Sequence, residues 1–199
     1  MPRKKDTKQQ ILKSAFELFT TKSYHEVSID EIIKKAGVSK GGLFHYFSSK
    51  YILAREALIT TMDNMWKKPF SDLEAIKDPY KKLKKFIDFS VDFSIRNPKM
   101  IKFFLEIHEV TVKKGEDTEI WINFFTQYIE ILGKMFEDCK IPNPHTKAMI
   151  LLVSLDAVGW EAAHFPQVGG PSSIDRDMLK YEFYELFVGN YQKLASRGE

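Results

Sequence analysis

The stretch from Ser28 to Phe47, SIDEIIKKAGVSKGGLFHYF, constrains the fold more tightly than any other part of the chain. Ser28 is followed three positions later by Glu31, and Ile29, Ile32, Ile33 and Ala36 recur at helical spacing. That pattern predicts a capping box opening a short amphipathic helix. Gly37 closes it, because a glycine just past a helix end takes the positive φ that other residues resist. Ala36 is small enough for a close helix crossing, and Val38 is placed to bury between two helices. Ser39 then caps a second helix, KGGLFHYF. Leu43 and Phe44 or Phe47 would meet Ile32, Ile33, Phe16 and Phe19 in a small core. Two short helices on a turn as tight as AGVS, preceded by an amphipathic helix over Thr7–Thr20, predict a three-helix helix-turn-helix unit.

The rest of the chain reads as longer helices. Periodicity predicts them over about residues 49–67, ended by Pro69, and over 79–96, 98–113, 117–138, 144–164 and 173–195. The segment FPQVGGPSS, residues 165–173, is the clearest loop. Alternating patterns between hairpin turns are missing, so the expected fold class is all-α.

Charge singles out the N-terminal quarter. Residues 1–50 hold ten lysines and arginines against five acids, whereas the rest holds twenty against twenty-two. A basic head on a neutral body suggests a polyanionic partner. The single cysteine, Cys139, excludes an intrachain disulfide and fits a packing role in a reducing compartment. The N-terminus lacks the apolar run of a signal peptide, and no stretch approaches the roughly 18 apolar residues of a membrane span. A soluble, cytoplasmic protein without membrane contact is expected.

ILKSAFELFTTKSYHEVSIDEIIKKAGVSKGGLFHYFSSKYIL, residues 11–53, resembles the TetR-type transcriptional regulators. The marks are the A..LF helix, the hydroxyl residue opening the second helix, the AGVSKG turn and the lysine after FSS. Lys35 departs from the pattern, which often has a small residue there. The resemblance implies a DNA-binding domain over residues 1–48 and a helical effector-binding and dimerisation domain over 49–199. It places the helix from Ser39 to Phe47 in the major groove, with Gly41 and Gly42 letting the backbone approach. Lys40 would supply charge, His45 would touch a base edge or phosphate, and Tyr46 would donate to a phosphate. Lys50 and Ser28 would reach further phosphates, and Ser39 and Phe44 complete the DNA-facing set. Arg3, Lys4 and Lys5 would form a flexible arm.

The remaining residues are rich in aromatics. Phe86, Phe89 and Phe93 share one helix face, a pattern that a bundle core explains for most such residues. The resemblance implies in addition an effector pocket between these helices, lined by Phe86, Phe89, Phe93, Phe104, Trp121, Phe125 and Tyr128. Trp160, His108 and His164, with Asn123 and Gln127, are candidates for its polar contacts. Such a lining suits a long apolar effector, a fatty acyl-CoA above all, with a planar aromatic or drug-like compound as the alternative.

Catalytic and metal motifs fail. HEVTV at His108 has Val112 where a metalloprotease helix needs a second histidine, and the Gly41-Gly42 pair fits neither phosphate-loop pattern. No GxSxG elbow occurs, which leaves a small lipid-handling enzyme without a nucleophile. No metal or cofactor is expected. The small residues along LLVSLDAVGWEAAHF, and a last helix apolar on more than one face, suggest a two-fold helical interface. The sequence thus predicts a homodimeric repressor of a pseudo-palindromic DNA operator, released by a small apolar effector.

Overall fold

The computed structural model describes residues 4–115, 118–164 and 175–197, and among these every regular element is helical. The helices are α1 (Lys4–Thr21), α2 (Ile29–Ala36), α3 (Lys40–Tyr46), α4 (Lys50–Glu74), α5 (Pro79–Arg96), α6 (Pro98–Lys114), α7 (Thr118–Asp138) and α8 (Pro144–His164). After these come α9 (Arg176–Tyr184), a π-helical turn (Glu185–Gly189) and α10 (Asn190–Arg197). Among the described residues no helix is long and apolar enough to cross a membrane. Arg3, Phe165 and the FPQVGGPSS segment lie outside the described residues. Lys4 and Lys5 open α1, so the expected arm is helical from Lys4 onward.

Two compact units divide the chain. The first comprises Met1–Lys68 and Lys102–Glu116, the second Pro69–Ile101 and Asp117–Glu199. In the first, Ile11, Leu12, Ala15 and Phe19 of α1, Ile32 and Ala36 of α2, and Leu43 and Phe47 are buried. Leu53, Ala54, Ala57 and Leu58 of α4 and Phe103 and Ile107 of α6 are buried as well. Phe103 stacks on Phe19, with ring centroids 5.1 Å apart, and meets Phe16 edge-on at 6.0 Å. The core of the second unit includes Leu83, Phe86, Ile87 and Val91 of α5, Leu132 and Phe136 of α7, and Ala148 and Leu151 of α8. Phe183, Phe187 and Val188 add to it. Lys180 of α9 pairs with Asp92 of α5 at 2.9 Å.

Two expected helix ends are corrected. Pro69 does not stop α4, which continues to Glu74 with the proline inside it. A proline there forfeits one backbone bond and crowds the carbonyl four residues back. Packing carries the helix past it: Leu73 is buried, and the Phe70 ring lies 6.5 Å from Phe86 and 6.3 Å from Tyr128. The last helix is not continuous either. Asp175 caps α9, accepting from the amides of Asp177 at 2.9 Å and Met178 at 3.1 Å. The helix then widens into the π turn, where a Cβ on buried Gly189 would lie 2.7 Å from the Glu185 carboxylate. That carboxylate is held by Lys193 at 2.7 Å. A turn of this kind inserts one residue, and the face of the helix shifts with it.

Candidate nucleic-acid interface

Local chemistry fixes the turn between α2 and α3. Ser28 Oγ accepts the Glu31 amide at 3.2 Å, while the Glu31 carboxylate accepts the Ser28 amide at 2.8 Å, so the capping box is complete. Gly37 sits at φ 64° and ends α2, and the Val38 amide returns to the Ile33 carbonyl at 3.2 Å. Ser39 caps α3 by accepting the Gly42 amide at 3.0 Å. Leu43 and Phe47, one turn apart, are fully buried and seat α3 on the domain. Of the two candidates for that position in the core, Phe47 takes it and Phe44 stays outside.

Seating α3 by Leu43 and Phe47 leaves Lys40, Gly41, Phe44 and His45 exposed. The His45 and Tyr46 rings meet edge-on at 5.0 Å. The two glycines differ. A Cβ on Gly41 would meet nothing within 4 Å, whereas one on Gly42 would lie 3.2 Å from the capping Ser39 Oγ. Gly42 is therefore small partly for the sake of the cap, and Gly41 alone has an open flank.

Lys50 and Ser28 are engaged within the domain. Lys50 Nζ donates to the Val27 carbonyl at 2.7 Å and lies 4.5 Å from the Tyr24 ring centroid. Burial pulls its pKa down. Its placement ties the start of α4 to the residue preceding the Ser28 cap. Ser28 Oγ donates to Glu31 at 3.1 Å. Lys22 pairs with the same carboxylate, and these bonds hold Glu31 well below the usual range, at about 2. Lys35 reaches Glu17 on α1 at 3.0 Å.

Two further contacts, between residues too far apart in sequence for a spacing signal, brace the head. Glu106 of α6 accepts the Tyr24 amide at 2.7 Å. Tyr51 and Thr111 share a buried hydroxyl–hydroxyl bond of 2.7 Å.

Residues 11–57 match the family described as bacterial regulatory proteins, tetR family. The N-terminal domain belongs to the TetR family. The transcriptional activator FasR of Mycolicibacterium smegmatis is 31% identical over 102 residues, covering 51% of this chain and 47% of FasR. The chain spans about half the length of the curated relatives it matches. Solved structures share the fold throughout. A transcriptional regulator from Pseudomonas aeruginosa PAO1 superposes with TM-score 0.74 at 16% identity, covering 97% of this chain and 96% of its own. FadR of Bacillus subtilis, solved with stearoyl-CoA, gives TM-score 0.64 at 16% identity over 90% and 97%. The exposed side of α3 is thus the outer side of a TetR-type helix-turn-helix.

Beyond residue 57, the expected effector residues divide. Trp121 meets Phe124 at 6.2 Å, and Phe124 in turn meets Phe125 at 5.8 Å and Tyr128 at 4.8 Å. Phe70 links Tyr128 to Phe86, and Phe89 meets Phe93 at 6.0 Å. Phe70 and Phe124, absent from the expected set, thus join its members. Phe104 and His108 stack on each other within the first unit. Trp160 and His164 stack at 4.7 Å on the exposed side of α8. Cys139 is buried, its thiol pushed up to about 11 by burial, which suits packing and not nucleophilic chemistry.

Proposed function

We propose that the protein is a cytoplasmic, non-catalytic regulator of transcription that binds a pseudo-palindromic operator as a homodimer and is released as a repressor by an apolar effector. The observation that carries the reading is the outer side of α3. It is capped by Ser39, anchored from below by Leu43 and Phe47, and offers Lys40, Phe44 and His45 beside an open glycine. In functional terms the DNA-binding part ends near residue 48, and residues 49–199 bind effector and partner. A two-fold pairing is supported by apolar residues left outside in the second unit: Met149, Ile150 and Val153 of α8, Met178 and Tyr181 of α9, and Leu186.

A long-chain acyl-CoA is the effector that the aromatic network of the second unit suits best. FadR of Bacillus subtilis, of like fold, was solved with stearoyl-CoA. The ligand acts only if it prefers the conformation that has lost the operator, because equal affinity for both shifts nothing. The experiment is a titration of acyl-CoAs of increasing chain length against the operator complex, followed by fluorescence anisotropy. Release that strengthens with chain length supports the reading. If no chain length releases DNA, the acyl-CoA assignment fails and planar aromatic compounds are tested next. FasR is an activator, so a reporter gene under the operator decides the sign of regulation.

A further inference from the structure

We propose that Phe44 reads a thymine, its ring packing on the C5-methyl group of one thymine in each operator half-site. The inference rests on the DNA-binding reading of α3 and adds to it the base that the helix selects.

Phe44 is 43% exposed, although apolar space lies directly beneath its helix and is occupied by its neighbours Leu43 and Phe47, both fully buried. Helical rotation sets the Phe44 ring between Lys40, one turn back, and Gly41. Gly41 has nothing within 4 Å of its missing Cβ, so no side chain shields that flank of the ring. Among the described residues Phe44 has no ring or cation partner.

The chemistry of the side chain narrows what can cover it. Phenylalanine has neither donor nor acceptor, so it can bond to neither a phosphate nor the polar edge of a base. The major groove offers one apolar group, the thymine methyl. Lys40 and exposed His45 flank the ring, so this is a single apolar point in a polar, basic surface and not a patch for another protein.

Thymine and uracil differ by that methyl alone, which gives a direct test. Duplexes bound by the full-length protein are selected from random DNA. Each dT of the selected site is then replaced in turn by deoxyuridine, and affinity is measured by anisotropy. Burying one methyl group corresponds to roughly a fourfold change in affinity. The expected result is a loss of that order at one thymine per half-site, and its disappearance in Phe44→Ala. Phe44→Leu, which keeps an apolar side chain, is expected to keep part of it. If deoxyuridine costs nothing at any position, or costs the same in Phe44→Ala, the proposal is overturned while DNA binding stands. The scan on the unaltered protein decides the first point even if a variant fails to fold. If no duplex is selected at all, the DNA-binding reading falls and this inference with it.

Discussion

Gly41→Ala separates stability from DNA binding by moving them in opposite directions. Gly41 lies in the first turn of α3, and nothing lies within 4 Å of the Cβ that alanine would add. Without strain, such a change removes backbone freedom from the unfolded chain and stabilises by about 0.4–1 kcal/mol. For a chain of this size that raises the melting temperature by about 1–4 °C. If the backbone of α3 approaches DNA at Gly41, the same methyl is forced into a tight contact costing about 1–3 kcal/mol, or roughly 5- to 150-fold in affinity. Scanning calorimetry reads the first effect and anisotropy on the selected operator the second. A variant that melts higher yet binds worse cannot be explained by misfolding. Gly41→Ala that is more stable and binds as the unaltered protein does would refute the close approach. Gly42→Ala is the contrasting case: its Cβ would press on Ser39 Oγ at 3.2 Å, so the gain in helix propensity is offset by a weakened cap.

Ser28→Ala should lower stability by about 1 kcal/mol and Ser28→Gly by only a few tenths in urea denaturation. Because Ser28 Oγ donates to Glu31, Ser28→Gly should retain operator affinity; a loss there despite intact stability would assign the hydroxyl to a phosphate. Glu31, held at about 2 chiefly by Lys22, stabilises the fold fully above its ordinary pKa, and this contribution fades as pH falls toward 2. Glu31→Gln should flatten the stability profile in that acid range, measured by circular dichroism; an unchanged slope would remove the carboxylate from the account. Leu186, 71% exposed, is expected at the two-fold contact, so Leu186→Glu should shift the protein to monomers in sedimentation velocity and weaken operator binding. Dimers that persist at micromolar concentration would place the contact elsewhere.

The turn was legible because its determinants are local. A serine, a glutamate three residues on and a glycine past the helix end act within one or two turns, and each forms the predicted bond or dihedral. The ends of α5 and α8 follow from prolines at their first positions. Pro69 was misleading because Phe70 packs on Phe86 and Tyr128, distant in sequence, and Leu73 is buried, and that packing outweighs the missing bond. The π turn has no periodic signal; its mark is Gly189 opposite Glu185, which becomes visible only once the helix has formed. Lys50 stood out as the lysine after the turn, but its bond to the Val27 carbonyl carries no spacing signal because Val27 lies far back in the chain. Among the later helices, spacing distinguished apolar faces without telling which rings meet, so Phe70 and Phe124 stood outside the expected effector set.

The stacking of Phe103 on Phe19 and the bond from the Tyr24 amide to Glu106 bear on how the protein is made. The three helices of the head leave the ribosome well before the residues that cover Phe19 and satisfy Tyr24. Until the chain has emerged past Thr111, the head lacks one wall and the Tyr51 hydroxyl lacks the Thr111 hydroxyl it bonds. The head is therefore completed only by residues made well after it, and a fragment cut just after Lys50 would leave an aromatic face open to aggregation.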